Sequence, residues 1–199
     1  MAAMETIVVG LGNPGEEYEG TRHNAGRMAL ELFRKTHNFP EWAHEKKLHA
    51  LISKGTLGKG KVTLVLPETY MNRSGSSIKP LITSLKKAER LIVAYDELDM
   101  PLGKIKLTFG RSSGGHRGVE SIIRAIKTKE FLRVRIGISP QTPKGALKKP
   151  KGEEEVLAFL MKPFTPAEKK VFAKTLKQVA EAIETAVREG RASAMNAFN

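Results

Sequence analysis

Histidine, aspartate and asparagine residues follow several apolar segments of this sequence, where a sheet could gather them. Asn13 comes after "TIVVGL", His23 begins a helical pattern after the next loop, and Asp96 directly follows "LIVAY". Asn72 follows the strand-like segment "LVLPETYM". Because ligands of α/β sheets gather beyond the carboxyl ends of the strands, we expect these four side chains to share one rim. A histidine whose ring is held by a carboxylate is the minimum for general-base hydrolysis.

The chemistry of this set suits the cleavage of an activated ester. A general base contributes roughly 10²–10⁴ in rate. This contribution is sufficient for an activated ester, whose cleavage needs neither a metal nor a covalent intermediate. The amides of Asn13 and Asn72 could hold a carbonyl group or orient the water. Of the 21 acidic residues 19 are glutamate, and the two aspartates are Asp96 and Asp99. Asp99, next to a proline, is typical of a turn.

Three glycine-rich motifs resemble other functional sites but lack their context. "GLGNPG" at residues 10–15 has the spacing of a dinucleotide-binding loop, yet "EEYEGTR" follows it without a helical period. "GRSSG" at residues 110–114 matches a nucleophile elbow, but the required acid and histidine do not follow in that order. "GTLGKGKV" resembles a phosphate-binding loop but leads into a strand, so a hairpin turn is predicted.

The charge of the chain is concentrated in one quarter of its length. The formal net charge is +13, and the sequence pI is about 10.0. Residues 102–152 hold 13 lysines and arginines against 2 acidic residues. A generally lysine-rich surface would spread the charge evenly, so the pattern favours a nucleic acid or another polyphosphate as partner.

Composition excludes several classes of protein. With 199 residues, 40% of them hydrophobic, the chain can bury one core and is short for two. It has no cysteine, and no apolar run is long enough to cross a membrane. His44 and His49 lack ligand spacing, so we expect no metal. These features predict a cytoplasmic protein that does not act at a membrane.

Alternating strand and helix patterns predict one α/β domain over residues 1–199, with a mixed central β-sheet flanked by helices on both faces. "LHALISK" and "KVTLVLP" are predicted to pair as a hairpin. The periodicity predicts one helix carrying Ile78, Leu81, Ile82 and Leu85, capped by Ser74 or Ser76. A basic mobile loop is expected at 140–152, and a C-terminal helix at about 166–190.

Beyond these patterns, nearly the whole chain resembles the bacterial-type peptidyl-tRNA hydrolases. The resemblance is carried by "VGLGNPGEEYEGTRHNAG", "PETYMNRSGSSI", "LIVAYDELDMPLGKIKL", "GGHRGVESI", "LRVRIGI" and "AMNAFN". It implies hydrolysis of the ester that joins a peptide to the terminal ribose of tRNA, which recycles tRNA lost from stalled ribosomes. It further implies a monomer with a mixed central sheet flanked by helices. We expect no cofactor.

The resemblance also implies a role for individual residues. His23 would be the general base, Asp96 would hold it in its basic form, and Asn13 would help to discriminate peptidyl from free aminoacyl groups. The remaining positions would bind the peptide or the tRNA. These positions are Tyr18, Tyr70, Met71, Asn72, Lys106, His116, Arg117 and Arg135.

Two positions depart from the family pattern. Arg117 stands where the family usually has asparagine, and arginine cannot accept a hydrogen bond. Thr108 stands where a lysine is usual, which leaves Lys104 and Lys106 as alternatives for phosphate binding. An RNA-binding protein without catalysis is therefore the competing hypothesis. Arg117 favours it, whereas the intact pair of His23 and Asp96 opposes it.

Overall fold

A computed structural model describes residues 5–199, which contain one seven-stranded mixed sheet. The strand order is β2-β3-β4-β1-β5-β7-β6. Strands β4, β1, β5 and β7 run parallel, whereas β2, β3 and β6 pair antiparallel with their neighbours. The strands are β1 (Thr6–Gly10), β2 (Ala43–Glu45), β3 (Ala50–Leu57), β4 (Gly60–Pro67), β5 (Leu91–Pro101), β6 (Ile105–Phe109) and β7 (Leu132–Ser139).

Helices cover both faces of this sheet, which confirms the predicted α/β class. They are α1 (Ala25–Thr36), α2 (Ser74–Ile78), α3 (Leu85–Ala88), α4 (Arg117–Ile126), α5 (Glu153–Leu160), α6 (Pro166–Arg188) and α7 (Arg191–Phe198). One apolar core joins α1, α6 and α7 to the first face, and a second joins α2 and α4 to the other. Parallel strands need this double cover because they are apolar on both sides. No helix within residues 5–199 is long and apolar enough to span a membrane.

The predicted hairpin is confirmed. Strands β3 and β4 pair antiparallel from Ala50 opposite Pro67 to Leu57 opposite Gly60. Gly58, in the connecting turn, has a φ of 61°, a conformation that glycine adopts without steric cost. The glycine-rich "GTLGKGKV" is therefore a tight connection between two strands.

The prediction of one continuous helix after Met71 is wrong. A 3₁₀ turn precedes α2, and a second 3₁₀ turn, Lys79–Leu81, separates α2 from α3. Pro80 lies in that second turn and has no backbone N–H for a helical hydrogen bond, which ends the helix. Neither predicted serine cap holds: α2 begins without a side-chain cap, and the hydroxyl of Ser84 caps α3 instead.

The turn expected at Asp99 is replaced by a longer strand. Strand β5 continues to Pro101, with an irregular register between Glu97 and Pro101. Asp96 consequently lies within the strand rather than at its end, just before the irregularity. Beyond β7, residues 140–152 are irregular apart from a bridge between Gln141 and Leu147.

Strand β1 and helix α1 approach each other at two glycines. A Cβ on Gly26 would lie 2.2 Å from the carbonyl oxygen of Ala94, and one on Gly10 would lie 2.5 Å from that of Gly26. The first glycine of the "GLGNPG" motif therefore permits backbone contact with α1. Gly15 is followed by the 3₁₀ turn Glu16–Tyr18 and not by a long helix, as the sequence context indicated.

Candidate active site

His23 and Asp96 meet although 73 positions separate them in the sequence. His23 lies in the 3₁₀ turn Arg22–Asn24 that begins helix α1, and Asp96 lies in strand β5. Nδ1 of the histidine is 3.0 Å and 3.1 Å from the two carboxylate oxygens. Both residues are buried, at 7% and 3% exposure. The expected pair thus exists as a buried hydrogen-bonded unit.

His116 binds the same carboxylate. Its Nε2 is 3.0 Å from Oδ1 of Asp96, and its ring lies 5.4 Å from that of His23. Its Nδ1 accepts a hydrogen bond from the backbone N–H of Val119 at 3.3 Å, which caps helix α4. Because a backbone N–H can only donate, the proton of a neutral His116 must sit on Nε2, where it points to Asp96. The resemblance placed His116 among the substrate-binding residues; its contacts here are with Asp96 and α4.

These contacts define the tautomer of His23. Asp96 carries a carboxylate that accepts from both rings, so Nδ1 of His23 is the protonated nitrogen. No hydrogen bond within residues 5–199 engages Nε2 of His23, and the residue lines a cavity at this edge of the sheet. The free lone pair of Nε2 can therefore take a proton from a bound molecule.

The electrostatics of this cluster keep Asp96 ionised. Burial alone would raise the pKa of Asp96, but the two histidines outweigh it and hold the pKa well below its usual range. Burial likewise would lower the pKa of His23, yet the charge and hydrogen bond of Asp96 raise it above 6.5, against a smaller opposing effect of Arg117. The carboxylate is thus charged across the physiological range, and His23 is a stronger base than a free imidazole.

Asn13 is held by the backbone of Met71 and by Asn24, a residue that the sequence patterns did not single out. The backbone N–H of Asn13 donates to Oδ1 of Asn24 at 2.8 Å, and Nδ2 of Asn24 donates back to the carbonyl of Asn13 at 3.0 Å. Oδ1 of Asn13 accepts from the backbone N–H of Met71 at 2.8 Å. The amide nitrogen of Asn13 is therefore the group left for a ligand. The only sequence signal for Asn24 was its place beside His23.

These side chains open onto a cavity of about 450 Å³. One wall is apolar and comes from α5 and the residue after it, with Val156, Leu157, Leu160 and Met161. Tyr70 also lines the cavity and is 60% exposed, and Leu157 is 50% exposed. Such exposed apolar groups around a polar centre are typical of ligand sites. The predicted residues on the lining are Asn13, His23, Tyr70, Met71, Asn72, Asp96, His116 and Arg117.

Three predicted residues lie outside the cavity lining. Tyr18 is half-buried in its 3₁₀ turn, where its carbonyl accepts from the hydroxyl of Thr21 at 2.7 Å. Arg135 in β7 pairs with Glu97 at 2.9 Å, and Glu97 does line the cavity. Lys106 in β6 stands directly opposite Arg135 in the antiparallel register, so the two share one face of the sheet.

Arg117, the departure from the family pattern, forms an ion pair with Glu153 across the mouth of the cavity. It connects the first residue of α4 to the first residue of α5. Both side chains are largely exposed, so the pair is worth at most about 1 kcal/mol. An anionic ligand can therefore compete with Glu153 for Arg117.

Within the described residues, one group of side chains has the spacing to hold a metal ion: His23, Asp96 and His116, whose ligand atoms lie within 4.8 Å of one another. The nitrogens that face Asp96 are also the ones that donate hydrogen bonds to it. A metal would have to displace both of these protons. Hydrogen bonds from both imidazoles to Asp96 account for the short distances among the three side chains.

A buried aspartate that two histidines contact lies at one edge of a doubly covered α/β sheet, and the comparisons place this site in a hydrolase. A family model described as peptidyl-tRNA hydrolase matches residues 7–199, and the chain belongs to the peptidyl-tRNA hydrolase family. The peptidyl-tRNA hydrolase of Carboxydothermus hydrogenoformans is 42% identical over 194 residues, covering 97% of each chain. That of Aquifex aeolicus is 41% identical, covering 97% of this chain and 95% of its own.

Solved structures agree with this assignment. The crystal structure of peptidyl-tRNA hydrolase from Acinetobacter baumannii superposes with a TM-score of 0.86 at 33% identity. The match covers 98% of this chain and 94% of the other. The predicted family and fold are thereby confirmed over nearly the whole length.

Proposed function

We propose that this chain hydrolyses the ester bond between peptide and tRNA with His23 as the general base. Membership of the peptidyl-tRNA hydrolase family supports the reaction. The observation that carries the proposed mechanism is the unit formed by the buried His23 and Asp96 with the half-buried His116 beside the cavity. Arg117, the best support for a binding protein without catalysis, leaves this unit in place.

In the first step, Nε2 of His23 takes a proton from water as the water oxygen bonds to the ester carbonyl carbon. Asp96 stabilises the imidazolium that forms, because its carboxylate already holds the Nδ1–H. In the second step, the carbon–oxygen bond to the ribose breaks, and His23 returns the proton to the ribose oxygen. The products are the free peptide acid and tRNA, and the histidine is neutral again.

The two asparagines are placed to assist this reaction. With Oδ1 of Asn13 occupied by the Met71 N–H, its amide N–H groups can donate to the carbonyl oxygen of the ester. Asn72, exposed on the cavity lining, can orient the attacking water or the ribose. Both are neutral donors, which suits an oxygen that gains negative charge only in the transition state.

The two parts of the substrate would occupy different sides of the site. The apolar wall of α5, with Tyr70 and Met71, suits the peptide side chains. The basic side, with Arg117, Lys106 and Arg135, suits the tRNA phosphates. Lys106 is the better candidate for the missing family lysine because it shares a sheet face with Arg135. Tyr18 is assigned a substrate role by the resemblance alone.

The decisive variant is His23→Ala. We expect release of the peptide from an N-blocked aminoacyl-tRNA to fall by roughly 10²–10⁴, the contribution of a general base, while tRNA binding persists. Exposed His44→Ala serves as the matched control and should keep full activity. If the wild-type protein binds tRNA but releases no peptide, the RNA-binding alternative is correct. Full activity in His23→Ala would exclude the mechanism.

We further propose that the protein acts as a cytoplasmic monomer on tRNA from the translation machinery. Every residue that the mechanism uses comes from one chain, so the site is complete without a second copy. Sedimentation of the active protein at the mass of one chain, 21.9 kDa, is the expected result.

A further inference from the structure

Arg133 is a buried charged residue that the mechanism above does not use. It lies in strand β7 with 2% of its surface exposed, and burial lowers the pKa of its guanidinium. Glu97 on the neighbouring strand pairs with Arg135 rather than with Arg133. Burying a guanidinium is costly unless its donors find acceptors, so this position requires an explanation.

The main contact of Arg133 is with the glycine-rich loop between β6 and α4. Its Nη1 donates to the backbone carbonyl of Ser112 at 2.5 Å. Ser112 is the central residue of the "GRSSG" motif, whose likeness to a nucleophile elbow had no functional context. The structure gives the motif a different role, because its carbonyl and not its hydroxyl makes the contact.

The loop has little else to fix its shape. Gly110, Gly114 and Gly115 all have positive φ, and glycines lose more conformational freedom on ordering than other residues do. Inside the loop, two weak bonds at 3.3 Å run to Ser113. The contact from Arg133 therefore holds the middle of the loop at Ser112, four residues before His116, which caps α4.

Tyr95 lies beside both Arg133 and His116. It is 1% exposed in strand β5, its ring is 4.7 Å from that of His116, and its phenol interacts with the Arg133 guanidinium. Burial raises the pKa of Tyr95 to about 12, so it is a neutral group throughout the working range. Two buried residues thus support this part of the site: Arg133 contacts the loop at Ser112, and Tyr95 packs against the ring of His116.

We propose that Arg133 is a positioning residue: by holding the Ser112 carbonyl it fixes the loop that presents His116 to Asp96. The inference rests on the proposed function, since it matters for catalysis only if Asp96 supports His23 as the base. Arg133 itself is too buried to touch tRNA, in contrast to Arg135 two residues later.

The test compares Arg133→Met, Arg133→Lys and Ser112→Ala. In Arg133→Met, kcat should fall about tenfold, while KM stays within about twofold. The expected fall is smaller than the roughly 10²–10⁴ that a general base contributes, because His23 itself is still present. Arg133→Lys retains one donor for the carbonyl and should restore most of kcat. Ser112→Ala keeps the backbone carbonyl and should behave as wild type.

Two readouts separate positioning from a general loss of stability. The charged and titratable groups around His23 are Asp96, His116 and Arg117. When His116 no longer donates to Asp96, the carboxylate interacts with His23 alone and raises the pKa of His23 further than in the wild type. The acid limb of the kcat profile should therefore move to higher pH. The ¹⁵N NMR signals of His116 should also change from those of one fixed tautomer to those of a mixture.

A folded Arg133→Met protein with wild-type kcat, acid limb and His116 signals would overturn the proposal. A loss of kcat that Arg133→Lys shares in full, with the His116 signals unmoved, would do so as well, since it would show a purely structural role. The NMR readout does not depend on turnover. If His23→Ala retained activity, the proposed mechanism would fail, while the His116 signals would still test the positioning by Arg133.

Discussion

At the scale of single residues, the site depends on one carboxylate that serves two imidazoles. Asp96 accepts from Nδ1 of His23 and Nε2 of His116, and the cap on helix α4 decides which nitrogen of His116 carries the proton. The two histidines therefore have the same chemistry but different contacts. Of these two described rings, His23 alone has a nitrogen, Nε2, that no hydrogen bond engages.

This arrangement predicts the pH dependence of the enzyme. His23 must be neutral to act as the base, and Asp96 raises its pKa above 6.5, so kcat should fall as pH decreases through that raised value. In Asp96→Asn the charge is lost while the burial remains, so the pKa of His23 drops. The acid limb should then move to lower pH, and the maximal kcat should fall by roughly 10² or more.

A kcat profile from pH 5 to 9 measures both effects. The exposed substitution Glu181→Gln also replaces a carboxylate by an amide and should leave the profile unchanged. An acid limb in Asp96→Asn that coincides with that of wild type would show that Asp96 does not control the basicity of His23.

At the scale of elements, the packing of helix α1 against strands β1 and β5 positions His23. The helix lies so close to the strands that a Cβ on Gly26 would come 2.2 Å from the Ala94 carbonyl and 2.6 Å from the Leu11 nitrogen. His23 precedes this contact by three residues, and Asp96 follows Ala94 by two. The backbone contact thus helps to set the distance between His23 and Asp96.

Gly26→Ala should therefore destabilise the fold and impair catalysis together. Overpacking against backbone atoms costs typically about 1–3 kcal/mol in the free energy of unfolding, which denaturant unfolding can measure. Gly60→Ala is the matched control, because a Cβ there meets no atom closer than 3.6 Å. Equal stability of the two variants would contradict the proposed contact.

At the scale of the whole molecule, the sheet order turns a charge-rich stretch of sequence into a charge-rich region of space. Residues 102–152 hold 13 basic and 2 acidic side chains and include β6, α4 and β7. Strands β7 and β6 are adjacent at one edge of the sheet, with Lys106 opposite Arg135. The same edge carries the loop that leads to His116, so a bound polyanion would reach the catalytic cavity.

The dependence of KM on salt tests this view. Binding that neutralises phosphates weakens steeply as salt increases, so KM for a tRNA ester should rise steeply while KM for a short ester changes little. Arg135→Ala should reduce the slope of log KM against log salt by about 1. Lys177→Ala removes an exposed charge outside residues 102–152 and should leave the slope unchanged. An equal loss of slope in both variants would place the tRNA elsewhere.

Local patterns in the sequence were sufficient for the α/β class, the hairpin and the candidates His23 and Asp96. These features depend on short-range physics: apolar periodicity defines strands and helices, and polar residues after strands gather at one edge of a sheet. Tertiary structure alone decided that His116 binds Asp96, that Asn24 braces Asn13, and that Arg133 supports the loop. Such contacts join groups 11 to 21 positions apart, and strand register and helix packing, which no local pattern contains, bring them within hydrogen-bond distance.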